Sequence, residues 1–581
     1  MSQNSTDQFF KSTVLGHPSG LFVLFFTEMW ERFSFYGMRA LLVMFFTSTA
    51  LNGGWDWSRE QAMALFGSYV GLVYLSTMLG GYFADKVIGY RYAVLVGALL
   101  MTLGHGSMAL ETPFFIYAGL ILLVFGNGFF KPNMTSIVSE MYKDRPEKKD
   151  GAYTIFYMGV NSGAFFGIVL CGYLGEQVGW SWGFGLAGIF MLFGLIQFWL
   201  SQNIFGDIGL KPVKKEVLTT DEDNDKLNPF PVWQLALIGL MTFLGLVWII
   251  FEPAKLISNG SVDIFNFEVA GLSGNNFTIL IAIVLFLFLL IYRILNYSQI
   301  TKEKMIAVSF FAFLTIFFWA IFEQSPGTLT IFANDYTDRI LQGNAGTIFK
   351  VVNASITIVP LAIITWVLIL LFKQTFAKYS VANLVLATSF VIIWGIAIWM
   401  LKNQFSQESL EVPASWFSSL NSLYIIALAP LFSKWWESKY NPSANMKYAL
   451  GMVFLAIGMI TVAIGSDGIL PGAKTASVSM VYLILVYLFV TMAELCISPV
   501  GLSYVSKLVP PRMIAMMFGI WYLAVAIGMK GAAKFGENID KIADEKGLSY
   551  FFWMLAIISL VVAVISFIMS PIIKKLMHGV R

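Results

Sequence analysis

Apolar residues run in blocks of roughly twenty or more along this chain, separated by short polar joints. A bilayer core about 30 Å thick takes about 20 helical residues to cross. Blocks of that length predict spans at 20–50, 62–84, 91–110, 113–140, 151–175 and 182–203. The polar stretch KPVKKEVLTTDEDNDKLNP (211–229) then interrupts the pattern. Further blocks follow at 230–251, 276–296, 304–334, 350–372, 382–401, 414–436, 446–465, 477–501, 512–532 and 549–573. The pattern therefore predicts an all-α polytopic membrane protein with about 16 transmembrane helices. Residues 1–18 are polar and lack the short apolar core and small-residue cleavage site of a signal peptide, so the first span is expected to be retained.

Composition removes the other classes. Of 581 residues, 57% are hydrophobic and 12% charged, against about 25% charged in a soluble chain. The 53 Phe, 23 Tyr and 17 Trp exclude a disordered or fibrous protein. Cys171 and Cys496 both sit in apolar runs, which supports neither a disulfide framework nor a metal site. A net charge of +3 says nothing of nucleic acid, and none is expected as a partner. Where the Lys and Arg fall is more informative. Lys86 and Arg91, Lys143 to Lys149, Lys211 to Lys215, Lys302 and Lys304, Lys373 and Lys378, Lys434 to Lys447, and Lys507 and Arg512 all fall in loops of one side. The positive-inside rule places that side, with both termini, in the cytoplasm. A loop at 530–546 is the exception, with Lys530, Lys534, Lys541 and Lys546 balanced by four acids.

A charge at the bilayer centre costs about 2.5–3.5 kcal/mol on insertion scales, so each one inside a span requires a reason. The first span reads TEMWERFSFYGMRALL. At 100° per residue, Glu28, Glu31, Arg32 and Arg39 share a stripe about 100° wide. Spacings of three and four let Glu28 meet Arg32. The stripe reads either as a static ion-pair lock or as the wall of a wet path, where Glu28 and Glu31 can carry protons and Arg32 cannot release one. Lys131 in GNGFFKPNMTS, Glu323 in WAIFEQSPG and Glu494 in MAELCISPVGLS are lone charges in three other spans. Each needs a partner from another helix, and together with the stripe they suggest one shared central site. His105 is better explained by packing, and the acidic tract 221–225 by a solvated linker. No hydrolase or metal motif occurs in a sensible place.

Several stretches resemble a known family. The segment EMWERFSFYG (28–37) is similar to the ExxERFxYYG motif of the proton-dependent oligopeptide transporter family, within the major facilitator superfamily. GGYFADKVIGYRY (80–92), FYMGVNSGAFFG (156–167), PASWFSSLNSLYIIALAP (413–430) and ELCISPVGLSYVSKLVP (494–510) resemble four further family stretches. Phe35 departs from the pattern, which often has Tyr there. The resemblance implies a major facilitator fold of two six-helix bundles around a central cavity, with an additional helix pair between them as in bacterial members. Here that means a first bundle over 1–205, a linker with the extra pair over 206–300, and a second bundle over 301–581. A further pair is inserted at about 350–401, expected to lie at the periphery of the second bundle facing lipid.

The resemblance also implies a proton-coupled symporter importing di- and tripeptides by alternating access. Such a protein is a carrier and not an enzyme, has protons as coupling ion and no cofactor, and sits as a monomer in a bacterial inner membrane. It implies proton coupling at Glu28, Glu31, Arg32, Lys131 and Glu323. It implies peptide binding at Tyr36, Arg39, Tyr69, Lys131, Asn161, Trp319, Asn421, Glu494 and Trp521. The residue types suit that task. A peptide carboxylate takes charge-assisted bonds from Arg39 and Lys131, its ammonium meets Glu494 with Asn161 and Asn421, and broad aromatic faces accept varied side chains. A carrier of nitrate or another small solute, and a drug/proton antiporter, are the alternatives.

Overall fold

The computed structural model describes residues 9–211, 230–473, 475–508 and 514–579. The linker tract with Lys214, Lys215 and the acids at 221–225 lies outside the described residues, as does Arg512. Before the linker stand α1 (Ser19–Thr47), α2 (Arg59–Phe83), α3 (Tyr90–Met108), α4 (Pro113–Met141), α5 (Lys149–Gln177) and α6 (Trp180–Ser201). After it come α7 (Val232–Ile257), α8 (Gly274–Leu295), α9 (Gln299–Phe322), α10 (Thr328–Asp335), α11 (Gly343–Thr375) and α12 (Ser380–Ser406). The chain ends with α13 (Ser419–Glu437), α14 (Ala444–Gly465), α15 (Met480–Leu508), α16 (Ile514–Glu537), α17 (Ile539–Lys546) and α18 (Leu548–Leu576).

All but α10 and α17 are long enough to span. Thirteen also pass a test of apolar length. Of the remaining three, α1 carries its Glu–Arg stripe, and in α16 Lys530 and Lys534 stand close together.

Two groups of helices build the body. Helices α1 to α6 pack on one another, with α1 against α5 and α6, α3 against α4 and α6, and α2 against α4. Helices α9, α13 to α16 and α18 form the second group, and the two meet along α2–α16 and α5–α13. Small residues set the closest approaches, as helices packed in lipid require. A Cβ added to Gly163 of α5 would lie 2.1 Å from the Met29 carbonyl oxygen of α1, and one on Gly167 2.2 Å from that of Phe33. In α2, a Cβ on Gly67 would lie 2.1 Å from the Ala533 methyl of α16. These contacts press the charged stripe of α1 inward.

Three expectations change. The span expected at 304–334 is two helices, because Pro326 and Gly327 follow Glu323 and the chain turns between α9 and α10. Lys530 and Lys534 belong to α16 and not to a loop. Their charges are met within the fold: Glu252 of α7 bonds Lys530 at 2.8 Å and also pairs with Lys534, which lies 2.7 Å from Glu537. Lys530 also donates to the Ala64 carbonyl and the Ser68 hydroxyl of α2, at 3.2 and 2.9 Å, so α7 is fastened to both groups of helices at once.

The inserted pair α11–α12 lies mainly against the first group, although Phe349 of α11 stacks on Trp416 of the turn before α13 at 6.3 Å. α12 packs on α6, and Phe390 rests edge-on against Phe26 and Trp30 of α1 at centroid distances of 5.7 and 5.5 Å. That aromatic surface supplies a partner, and edge-to-face pairs at this separation are favourable. The pair's other face exposes large apolar residues such as Val391 and Trp366, and none of its residues lines the central cavity.

Gly163→Val should abolish recovery of folded protein in detergent, since the side chain has no room short of parting α1 from α5. Gly239→Ala in α7, where nothing lies within 4 Å, should leave the melting temperature unchanged or slightly raised, the helix gaining up to about 1 kcal/mol from losing a glycine. Size-exclusion profiles and thermal melts of the two variants check this.

Candidate functional site

The α1 stripe folds as its spacing requires. Arg32 Nε lies 3.1 Å from Glu28 Oε1, one turn back, and Arg32 also pairs with the adjacent Glu31. Asn127 of α4 donates to Glu31 Oε1 at 3.0 Å. Glu28, Glu31 and Arg32 are all buried. On α4, the Lys131 ammonium sits 4.4 Å from the centre of the Tyr74 ring of α2. An aromatic face covers this cation, while Arg32 is the partner of Glu28 and Glu31.

Two turns further along α1, Arg39 crosses to the other group of helices and pairs with Glu323, Nη2 to Oε2 at 3.1 Å. Both side chains are buried. In this conformation a carboxylate of the protein holds Arg39. Glu323 caps the end of α9, its N–H bonded to the Trp319 carbonyl at 3.0 Å. The Tyr36 ring lies 5.2 Å from the Arg39 guanidinium carbon and 5.9 Å from that of Arg32. Phe35 lies 5.8 Å from the Arg39 carbon and 5.5 Å from that of Arg32, and its lost hydroxyl leaves that contact intact.

A cavity opens beside this pair. Its empty volume is about 600 Å³, including open solvent, and Tyr36, Arg39, Trp319, Glu323, Asn421 and Glu494 line it. Asn421 of α13 donates to Glu494 Oε2 of α15 at 2.9 Å and to the Thr491 hydroxyl at 3.0 Å. The cavity thus has a guanidinium from one group of helices and two carboxylates from the other.

Other candidates lie away from this lining. Glu28, Glu31, Arg32 and Lys131 form the buried layer beside it, and Asn161 bonds back to the Tyr157 carbonyl at 2.9 Å. Tyr69 is buried with its hydroxyl unpartnered, and Trp521 is also buried. Tyr74 takes the place expected of Tyr69: it lines the cavity and touches Lys131 and Trp319. Sequence reasoning missed it because a tyrosine in an apolar span carries no charge to mark it. Ser418 and Ser422 also line the cavity and flank Asn421 in the PASWFSSLN stretch, where their spacing was a usable signal.

The face that carries the α1–α2 loop is closed by cross-contacts. Arg59 at the start of α2 pairs with Asp335 and Asp540 and donates to the Tyr336 hydroxyl at 3.3 Å. These residues sit at span ends, where charge is ordinary, and sequence reasoning passed over them.

Comparison with known proteins places this architecture. Residues 91–382 and 387–533 match the POT family. The chain belongs to the proton-dependent oligopeptide transporter (POT) family. It is 30% identical to the peptide transporter YePEPT of Yersinia enterocolitica, over 100% of this chain and 99% of that protein. It is 28% identical to a di-/tripeptide transporter of Lactococcus lactis over 98% and 99%. A crystal structure of a peptide transporter POT in complex with sulfate superposes with a TM-score of 0.69 at 28% identity, covering 99% and 100% of the two chains. This POT-family chain is accordingly a multi-pass membrane transporter with the major facilitator architecture, and not an enzyme.

Arg32 is the hub of the buried layer. Arg32→Met should leave two buried carboxylates without their cation and destabilise the fold by about 3–5 kcal/mol, as breaking a buried pair does. Adding Glu28→Gln and Glu31→Gln to that variant should restore most of the melting temperature. Thermal melts of the single and triple variants in one detergent decide it.

Proposed function

We propose that this protein is a proton-coupled symporter that carries di- and tripeptides inward by alternating access. The observation that carries the reading is a charge count across the centre, where Lys131 and Glu494 are half-buried and the other five groups buried. Glu28, Glu31, Glu323 and Glu494 are four carboxylates, whereas Arg32, Arg39 and Lys131 are three cations. Four against three leaves one negative charge uncompensated, and one proton removes it. Burying an unpaired charge is costly, so a centre built this way favours taking up one proton when it closes. A zwitterionic peptide adds no net charge and can enter without upsetting that balance.

The Arg39–Glu323 pair supplies the exchange. A peptide carboxylate competes with Glu323 for the guanidinium, and a proton on Glu323 releases Arg39 to the peptide while loosening the bond between the two groups of helices. Lys131, poised over Tyr74, supplies a second cation to the same carboxylate. Glu494, steadied by Asn421, receives the peptide ammonium. Tyr36, Tyr74 and Trp319 then face the variable side chains, where broad aromatic surfaces tolerate many shapes. One proton moved inward contributes about 2.3 kcal/mol per 100 mV and about 1.4 kcal/mol per pH unit. That drives at least a hundredfold accumulation.

The positive-inside reading sets both termini in the cytoplasm and the α1–α2 loop outside. In that orientation the conformation seen is closed to the outside by Arg59, Asp335 and Asp540. The likeness to bacterial peptide transporters supports a place in the cell membrane, where a monomer suffices because one chain completes the cavity.

Purified protein in proteoliposomes should accumulate a labelled dipeptide only with an inward proton gradient; uptake indifferent to the gradient, or none for any di- or tripeptide, would reject the reading. Glu31→Gln should lose accumulation and keep exchange at equal pH. Arg39→Ala or Lys131→Ala should erase the preference for a free C-terminal carboxylate over its amide by about tenfold, the scale of a charge-assisted bond. Glu494→Gln should instead erase the preference for a free amine over its acetylated form.

A further inference from the structure

Glu176 stands one residue from the end of α5, on the face of the α1–α2 loop, and the mechanism above makes no use of it. Every bond it forms crosses to the second group of helices. The Ala414 backbone N–H donates to Oε2 at 2.9 Å, the Ser415 N–H to Oε1 at 3.0 Å, and the Ser415 hydroxyl also donates to Oε1. Ala414–Ser418 is the 3-10 turn that leads into α13. Its first N–H groups have no partner within the turn, and a carboxylate from α5 takes that role.

The surroundings make this a made-to-fit seat. A Cβ on Gly172, one turn before Glu176, would lie 2.2 Å from the Ser415 hydroxyl oxygen, so α5 is kept bare where the turn presses in. The indole N–H of Trp416 donates to the Val169 carbonyl at 2.9 Å, fixing the turn's far end to α5 as well. The charged groups facing this corner are Arg339 and its partner Glu411, 2.8 Å apart. Arg339 is thus engaged elsewhere, and Glu176 is held by three hydrogen-bond donors and by no ion pair among the described residues.

We infer that Glu176 is a proton-operated latch of the α1–α2 loop face, joining α5 to the turn before α13 when ionised and releasing it when protonated. The chemistry follows from donor counting. An ionised carboxylate accepts from all three donors. Once protonated, the carboxyl keeps all three contacts only by donating to the Ser415 hydroxyl oxygen, and the two backbone N–H groups then meet a neutral acceptor, so charge-assisted bonds become weaker ordinary ones. Alternating access requires this face to open, and at that corner the latch must break together with the Trp416–Val169 bond. A falling pH on that face then favours opening, which adds a second point of proton control to the central one.

The inference rests on the chain working by alternating access, so its test reads conformation without any substrate. Spin labels at the exposed positions 177 and 408 report the separation of α5 from the segment before α13, with Glu323→Gln present throughout to remove the central lock. The long-distance population should grow as pH falls from 8 to 5 in protein with Glu176 intact. Glu176→Gln should show it already at pH 8, about tenfold over the unaltered latch as expected for a lost charge-assisted bond, and should no longer respond to pH. Ser415→Ala, which removes one donor and keeps the carboxylate, should fall between. Distributions identical with and without Glu176→Gln, or a pH-insensitive distribution with Glu176 intact, would overturn the inference. Absence of peptide uptake in vesicles would count against the proposed substrate and leave these distances unaffected.

Discussion

A charge carried into the bilayer is costly without a partner, and among the described residues the helices are arranged around a few such pairings. Arg32 answers two acids of its own helix, Glu252 answers two lysines of another, and Arg39 reaches across to Glu323. The first arrangement stays within one group of helices. The third joins the two groups, and its partners also face the cavity. Ion pairs in a low-dielectric interior are costly to break one-sidedly, so a partner exchange is the accessible way to move them. A proton or a peptide carboxylate each offers such an exchange. Structure and proposed activity therefore depend on the same constraint.

That constraint works only because the backbones come close. Gly163 and Gly167 let α5 lie directly on α1, and Gly67 does the same for α2 on α16. With bulkier residues the Arg–Glu stripe would be held apart from Asn127, and the Arg39–Glu323 bond would have to stretch. Packing by small residues is the means by which helices associate in lipid, and here it also fixes the distances on which charge matching depends.

Much of this was legible in the residues. Long apolar blocks marked the helices, the angular stripe on α1 marked the buried layer, and five ordered motifs marked the family. What escaped has physical reasons. Tyr74 was invisible because only charges stand out against an apolar span. The break after Glu323 was hidden because Pro326 and Gly327 interrupt a block that stays apolar on both sides. Lys530 and Lys534 read as loop residues until Glu252, 278 and 282 positions away, supplied their counter-charge. The seat of α12 on the first group includes Phe390 meeting Phe26 and Trp30 of α1, and no local pattern reports a contact between such distant aromatics.

The central claim is that a peptide carboxylate takes Arg39 while Glu323 takes a proton. Calorimetry of dipeptide binding in two buffers of different ionisation enthalpy measures that exchange directly. The account predicts that about one proton is taken up per peptide bound near neutral pH, as one neutralised carboxylate requires, and that Glu323→Gln binds peptide with no proton uptake. Peptide binding by the unaltered protein with no proton uptake would contradict it.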